Sequence, residues 1–230
     1  MKTLCVIPAR SGSKGIANKN IREFNGKPLI AHAIDYAKKC KLITHTIIST
    51  DSEEYAKIAI KYGGVVPFLR PKIYSTDLSQ DIDFMYHSLV ECEKLNNIIY
   101  DFVILLRVTS PLRPKKLIEK ALNLIVSDSD ATSIKAVMPF KEHPYKHWIP
   151  DGKYISGFEK NIHEPYNLPR QQLPEAYYSA GDLEIVRRDV ILNGSVSGNK
   201  VLPLILSRED VIDIDSTADW SRAEIKIKKV

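Results

Sequence analysis

Strand-like and helix-like segments alternate along this chain, and that alternation restricts its fold more than any other feature. Short runs of β-branched and aliphatic residues are separated by longer segments whose apolar residues recur with the helical period. This order is typical of a mostly parallel sheet covered by helices on both faces, a three-layer α/β fold. Pro203 makes the last run an edge strand. The predicted strands are Thr3–Ile7, Thr46–Thr50, Val65–Leu69, Asp101–Leu106, Ala131–Val137, Leu183–Val186 and Val201–Leu206.

The helical segments carry recognisable start signals. Pro28 suits a first turn, where its missing N–H is not needed, and Asp51 and Ser52 are candidate caps. A sheet of this kind binds ligands beyond the carboxyl ends of its strands. We therefore expect a site in the segments that follow Ile7, Ile48, Leu69 and Leu106. The predicted helices are Pro28–Cys40, Asp51–Tyr62, Ser79–Leu95, Pro114–Val126 and Ala218–Ile227.

The alternation stops between about Phe140 and Ala176. Several prolines there argue against a central strand or a long helix, and several aromatic residues argue against a flexible linker. We expect an extended arm, inserted in one domain that spans residues 1–230, which packs against another surface such as a second subunit.

Composition narrows the class of protein. The 230 residues include 33 lysines and arginines and 28 acidic residues, a net charge of +5 without basic clusters, so we expect no binding to nucleic acid. No apolar stretch approaches the ~20 residues that span a bilayer, so we expect no membrane segment. The three widely spaced cysteines predict reduced thiols in the cytoplasm. No histidine pattern indicates a metal site, and GxSxG, a hydrolase signature, is absent.

The segment IPARSGSKGIANKN, residues 7–20, carries the strongest chemical signal. Its two glycines allow backbone N–H groups to face an anion, and Arg10, Lys14 and Lys19 can balance a polyphosphate. The segment matches neither GxGxxG nor GxxxxGK[ST], which counts against a dinucleotide-binding fold and a P-loop NTPase. Its place after a predicted strand favours a phosphate-binding loop over a solvated basic turn.

The segment IDIDS, residues 212–216, sets two carboxylates two positions apart. On an extended chain such residues project to the same face, so Asp213 and Asp215 can share one cation. Mg²⁺ accepts one or two carboxylates and completes its shell with phosphates and water. Asp215 and Ser216 can also cap the last predicted helix, and both roles are compatible.

Together with five further blocks, these segments resemble the CMP-sialic acid synthetase family, the cytidylyltransferases that activate nonulosonic acids. The resemblance runs in order from residue 7 to residue 216. It implies a Rossmann-like nucleotidyltransferase fold and a homodimer in which the protruding arm crosses to the partner. The other blocks are NGKPLI at 25–30, ISTD at 48–51, LRP at 69–71, LLRVTSPLR at 105–113 and PRQQLP at 169–174.

The resemblance also implies a reaction and a site. The family joins CTP to the anomeric hydroxyl of a nonulosonic acid, releasing pyrophosphate and leaving a CMP-sugar. The resemblance implies that Asp213 and Asp215 bind Mg²⁺ and that Arg10, Lys19 and Asp215 are catalytic. It also implies that Arg170 binds the carboxylate of the sugar. Gln171 and Gln172 would reach hydroxyl or acyl substituents, and Arg70 would read cytosine. The implied nucleotide-binding residues are Arg10, Ser13, Lys14, Lys19, Asn20, Arg70 and Ser79.

Two blocks depart from the family pattern on its sugar side. Many members carry glutamine and proline where this chain has Arg107 and Val108, and an asparagine-glycine-alanine run where it has Ala180–Asp182. We predict that Arg107 faces Asp182 or Glu184, or that these charges read a sugar substituent; the alternative is a structural ion pair. A nucleotidyltransferase acting on 3-deoxy-manno-octulosonate or a sugar phosphate, and a non-catalytic nucleotide-binding regulator, are the rival functions.

Overall fold

The computed structural model describes residues 1–228, and its centre is a six-stranded sheet. Two short two-stranded sheets lie outside it. In chain order the strands are β1 (Thr3–Pro8), β2 (Glu23–Phe24), β3 (Lys27–Pro28), β4 (His45–Ser49), β5 (Phe102–Leu106), β6 (Ser133–Pro139), β7 (Trp148–Asp151), β8 (Tyr154–Gly157), β9 (Tyr177–Arg187) and β10 (Val201–Ile205).

Six α-helices accompany the strands, and all five predicted helices are confirmed. Local chemistry sets where two of them begin: the Ser52 side chain accepts a hydrogen bond from the Tyr55 N–H, and Ser216 and Asp219 form a capping box. Among the helices of residues 1–228, none combines the length and apolar character that crossing a bilayer requires. The helices are α1 (Leu29–Lys38), α2 (Glu53–Lys61), α3 (Asp81–Asn96), α4 (Leu117–Ser127), α5 (Arg188–Leu192) and α6 (Thr217–Ile227).

The large sheet has the strand order β10-β6-β9-β5-β1-β4. β1 pairs in parallel with β4 and β5, and β10 pairs in parallel with β6, while β9 runs antiparallel between β5 and β6. The predicted mostly parallel sheet is confirmed, and so is the edge position of β10. β9 brings the second half of the chain back beside β5, which places residues near 180 next to those near 107.

Helices cover both faces of the sheet. Along β1, Cys5 and Ile7 face a core that includes α1, α4 and α6, whereas Leu4 and Val6 face a second core that includes α3 and α5. This alternation is the period of two that a strand buried on both faces requires. The two cores fix the sheet between the helix layers, so its carboxyl edge is held rigidly.

The predicted strand Val65–Leu69 is wrong. The segment is a loop that follows α2, and a 2.8 Å hydrogen bond from the Ile48 N–H to the Val65 carbonyl links it to the sheet edge. Pro67 lacks the N–H that a continuing ladder needs, and Val65 and Leu69 are both exposed. The apolar run therefore packs at the surface rather than within the sheet.

The arm at about 140–176 contains a β-hairpin, formed by β7 and β8, and three short 3₁₀ turns. Its prolines exclude a central strand, as predicted, but they permit a peripheral hairpin. Inside the arm the rings of Trp148 and Tyr166 lie 4.1 Å apart, and Lys146 donates to the Leu168 carbonyl. Tyr154 and Ile155 on the hairpin are more than 60% exposed, so the arm presents apolar surface.

Candidate active site

A cleft of about 490 Å³ lies at the carboxyl edge of the sheet. It receives residues from the loop after β1, the segments after residue 69 and after β5, β9, and the chain before α6. All seven residues predicted to bind the nucleotide and both predicted metal ligands line it. The lining residues are Pro8, Arg10, Ser13, Lys14, Gly15, Lys19, Asn20, Arg70, Tyr74, Thr76, Ser79, Asp81, Phe84, Arg107, Val108, Thr109, Ser179, Gly181, Asp213 and Asp215.

The loop after β1 is anchored to the end of β4. Ser11 donates from its backbone N–H and its hydroxyl to the Asp51 carboxylate, at 2.8 and 2.7 Å. Burial alone would raise the pKa of Asp51, but these hydrogen bonds from Ser11 outweigh it and lower the pKa. Asp51 is therefore ionised at neutral pH and holds the loop in place.

The same loop is pressed against the acidic segment before α6. A Cβ added at Gly15 would collide with the backbone carbonyl of Asp215, so only glycine fits there. Lys19 donates from Nζ to the Ile214 carbonyl at 2.8 Å and to Asp215 Oδ1 at 2.9 Å. Buried Asn20 donates to the Arg10 carbonyl at 3.0 Å, which fixes the backbone from which Arg10 projects.

The two predicted metal ligands differ in environment. Asp215 is largely exposed, whereas Asp213 has a buried Oδ1 without a hydrogen-bond partner. Burial raises the pKa of Asp213, and nearby Asp215 adds to the rise although Thr109 opposes it. A Cβ at Gly181 would lie 2.5 Å from Asp213 Oδ2, so this glycine makes room for the carboxylate.

This donor set fits a hard divalent cation. An unsatisfied buried carboxylate oxygen beside a second carboxylate is costly unless a cation compensates it. Within the described residues there is no cluster of three or more acidic, histidine or cysteine side chains that could hold a metal. Such a cation would therefore take ligands from Asp213 and Asp215 and complete its shell with oxygens from the substrate and water, as Mg²⁺ does.

Arg70 is a buried cation in the wall of the cleft. It donates to the Ser49 hydroxyl at 2.9 Å and to the Ser49 carbonyl at 2.7 Å, and its guanidinium lies 4.4 Å from the centre of the Phe84 ring. Burial lowers its pKa to about 10, which still leaves it charged at neutral pH. The contacts hold the guanidinium in one orientation at the cleft.

The side chains of Arg107 and Asp182, two predicted sugar-side residues, form ion pairs with different residues and not with each other. Arg107 contacts Asp81 at 2.5 Å and Glu184 at 3.3 Å, so the predicted pairing with Glu184 is confirmed. Of the two predicted partners Arg107 therefore has Glu184, and the prediction that Asp182 reads a sugar substituent is wrong. Asp182 is 1% exposed, does not line the cleft and forms a fully buried ion pair with Arg113, because a buried carboxylate needs a cation that is buried with it.

Three predicted sugar-binding residues do not line this cleft. Arg170, Gln171 and Gln172 form a short 3₁₀ turn on the arm, and Arg170 donates to the Lys141 carbonyl. Conversely, the sequence did not single out Asp77, which bonds both Arg10 and Lys14. Its position between Arg70 and Ser79, two residues predicted to bind the nucleotide, was the clue that the sequence offered.

Comparisons with known proteins identify the family of this chain. A profile of the family described as cytidylyltransferase matches residues 4–147, more than half of the chain. This chain belongs to the cytidylyltransferase family. As a cytidylyltransferase it is a nucleotidyltransferase enzyme, which confirms the predicted class.

Two relatives of this cytidylyltransferase match it over nearly their whole length. It is 38% identical to the post-translational flagellin modification protein B of Campylobacter coli, an alignment that covers 98% of this chain and 95% of that protein. It is 32% identical to the pseudaminic acid cytidylyltransferase of Campylobacter jejuni, with 99% and 97% covered. These matches confirm the resemblance to enzymes that activate nonulosonic acids.

A solved structure of the CMP:2-keto-3-deoxy-manno-octonic acid synthetase complexed with CTP superposes on this cytidylyltransferase with a TM-score of 0.72. The match covers 100% of this chain and 99% of the other. At 16% identity it shows the fold alone, and it confirms the predicted nucleotidyltransferase architecture.

Proposed function

We propose that this cytidylyltransferase transfers CMP from CTP to the anomeric hydroxyl of a nonulosonic acid and releases pyrophosphate. The observation that carries the proposal is the convergence of Arg10, Lys14 and Lys19 with Asp213 and Asp215 on one cleft. The pseudaminic acid cytidylyltransferase among its relatives supports the class of acceptor. Pseudaminic, legionaminic and N-acetylneuraminic acids are the candidate acceptors.

The loop after β1 would hold the triphosphate. Negative charge accumulates on the α-phosphate and on the departing pyrophosphate, and phosphoryl transfer depends mainly on positioned cations and donors. Lys19 lies beside Asp215, which suits the α-phosphate, while Arg10 and Lys14 would bind the β- and γ-phosphates. Ser13 would add a hydroxyl donor. Asn20 would hold Arg10 in place by donating a hydrogen bond to the backbone carbonyl of Arg10.

Asp213 and Asp215 would hold Mg²⁺, because their carboxylates fit such an ion and lie against the phosphate loop. When bound, the ion would neutralise charge on the reacting phosphates. Lys19 would keep Asp215 oriented through its 2.9 Å contact, and Gly181 would leave the space that Asp213 needs.

Arg70 and Ser79 would read the base. Contacts to Ser49 use Nε and Nη2 of Arg70, so Nη1 remains as a donor for the O2 and N3 acceptors of cytosine. Because the guanidinium is already fixed, little conformational entropy would be lost when the base binds.

The sugar side of the site would be completed by a second copy of the chain. Arg170, Gln171 and Gln172 lie on an arm that exposes apolar residues and do not line the cleft of their own chain. In a homodimer the arm would carry them to the partner's cleft, where Arg170 would pair with the sugar carboxylate.

The free and buried cysteines Cys5, Cys40 and Cys92 suit a reducing compartment, the cytoplasm.

A pyrophosphate-release assay with CTP and Mg²⁺ tests the proposal. The acceptors to compare are three nonulosonic acids, 3-deoxy-manno-octulosonate and a sugar 1-phosphate. Release with a nonulosonic acid, and not with the other two, is the expected result. Preference for either of the others would replace the proposed acceptor, and CTP binding without release from any acceptor would favour a regulator.

A further inference from the structure

Asp77 bridges two cations of the loop after β1, Arg10 and Lys14. Its Oδ1 lies 3.1 Å from Arg10 Nη2, and its Oδ2 lies 2.6 Å from Lys14 Nζ. The hydrogen bond from Lys14, followed by that from Arg10, lowers the pKa of Asp77 although slight desolvation opposes it. At neutral pH an ionised carboxylate therefore spans Arg10 and Lys14.

A carboxylate in this position competes with a phosphate group. Both are anionic oxygen acceptors that form charge-assisted hydrogen bonds with guanidinium and ammonium groups. If phosphate oxygens approached Arg10 and Lys14 while Asp77 remained, like charges would lie within a few ångströms of each other. A polyphosphate that binds these two cations must therefore displace Asp77.

The loop that carries Asp77 is held weakly. The hydrogen bonds within this loop are local, such as those from the Thr76 N–H to the Ser79 hydroxyl and from that hydroxyl to the Ile73 carbonyl. Leu78 is 91% exposed and Ile73 is 73% exposed. Moving Asp77 away from the cations would thus sacrifice little buried apolar surface.

We infer that Asp77 is an internal competitor for the phosphate subsite and sets its affinity for CTP and for the pyrophosphate product. This inference rests on the proposed function, because Arg10 and Lys14 are assigned there to the β- and γ-phosphates. By occupying the emptied subsite, Asp77 would promote pyrophosphate release. CMP has neither of these two phosphates, so Asp77 would not affect its binding.

Calorimetric titration of the full chain with CTP, pyrophosphate and CMP, each with Mg²⁺ and about 0.15 M salt, tests the inference. Asp77→Asn should tighten CTP and pyrophosphate by about three- to tenfold, the range expected for two solvent-exposed ion pairs. CMP should bind the variant about as tightly as it binds the wild type, because it lacks the two phosphates with which Asp77 would compete. Asp77→Glu, which keeps the charge, should leave all three affinities close to those of the wild type.

Asp130→Asn is the matched control, because Asp130 forms an exposed ion pair with Lys200 at 2.9 Å and does not line the cleft. It removes the same charge and should change none of the affinities.

A second neutral variant, Asp77→Ser, replaces Asp77→Asn if circular dichroism shows that the latter misfolds. Unchanged or weaker binding of CTP and pyrophosphate in the neutral variant would overturn the inference, and so would an equal gain for CMP. A wild-type chain that fails to bind CTP would instead refute the proposed function.

Discussion

Lys19 Nζ lies 2.9 Å from Asp215 Oδ1, although the two residues are 196 positions apart in the chain. The lysine side chain is 12% exposed and the aspartate side chain 73% exposed, so the contact sits where the protein interior meets the cleft. It joins the phosphate loop to the acid pair. The cations proposed to bind the triphosphate and the carboxylates proposed to bind the metal are therefore held at one place.

Asp215→Asn should remove turnover and leave the fold intact. The change keeps the shape of the side chain but removes the charge that would hold Mg²⁺, so we expect kcat to fall at least ~100-fold. Because Asp215 is mostly exposed, the free energy of unfolding should change by less than ~0.5 kcal/mol. Pyrophosphate release and urea unfolding measure the two effects.

Asp210→Asn is a control for that variant. Asp210 is exposed, lies on the same segment and accepts hydrogen bonds from Ser207, but it does not line the cleft. Its turnover should match that of the wild type. Near-normal turnover of Asp215→Asn itself would show that the metal assignment is incorrect.

Gly15→Ala should impair the reaction through backbone geometry alone. Because the added methyl group would meet the Asp215 carbonyl, the phosphate loop and the acid pair must separate. A displacement of about 1 Å can cost ~100-fold in rate, so we expect kcat/KM to fall by roughly that factor. Gly152→Ala, which introduces strain at a positive φ on the arm without a clash, should lower stability but leave kcat/KM within about twofold. Equal activity of the two variants would contradict this.

The Arg113–Asp182 pair should contribute to stability only as a pair. Both side chains are fully buried, so Asp182→Asn leaves an uncompensated guanidinium and should cost about 3–5 kcal/mol in the free energy of unfolding. The double variant Arg113→Met/Asp182→Leu should cost less than the sum of the single changes Arg113→Met and Asp182→Leu. Urea denaturation measures these values. Additive costs would mean that the two side chains do not interact energetically.

Arg107→Gln should change the preference among acceptors. Arg107 lines the cleft between Asp81 and Glu184, and removing its charge leaves Glu184 with Lys135, 3.1 Å away, as its remaining cation. We expect relative kcat/KM values for several nonulosonic acids to shift by about tenfold, and KM for CTP to change less. An unchanged order of preference would assign Arg107 a structural role.

Glu93→Gln should weaken the dependence of the free energy of unfolding on pH in the acid range. Hydrogen bonds from Arg188, at 2.7 and 2.9 Å, lower the pKa of Glu93 below its ordinary value although desolvation opposes them. A lowered pKa stabilises the fold above the unfolded-state value of about 4.3, and the stabilisation is lost as pH falls through the folded-state pKa. The variant should be about 1 kcal/mol less stable at pH 7 and nearly equal to the wild type near pH 3. Urea unfolding at both pH values checks this, and an equal deficit at both would exclude the ionic origin.

Periodicity and composition predicted most of the fold because each element carries its own pattern of burial. All five helices and six of the seven strands follow from such local patterns. The strand predicted at Val65–Leu69 was wrong because an apolar run can lie at the surface as well as in a sheet. No local sequence pattern indicates the antiparallel direction of β9 or the hairpin in the arm. Both depend on which segments pair once the chain has folded.

Residue types and short spacings were enough to predict which chemical groups are available: a basic loop after the first strand and two carboxylates near the other end. These depend on residue type and short spacing, which the chain order preserves. The partners of these charges became visible only in the folded chain: Lys19 contacts Asp215, Asp182 is buried against Arg113, and Asp77 bridges Arg10 and Lys14. An ion pair forms with whichever charge the packed backbone brings within reach, and that distance in space cannot be read from the separation of two residues along the chain.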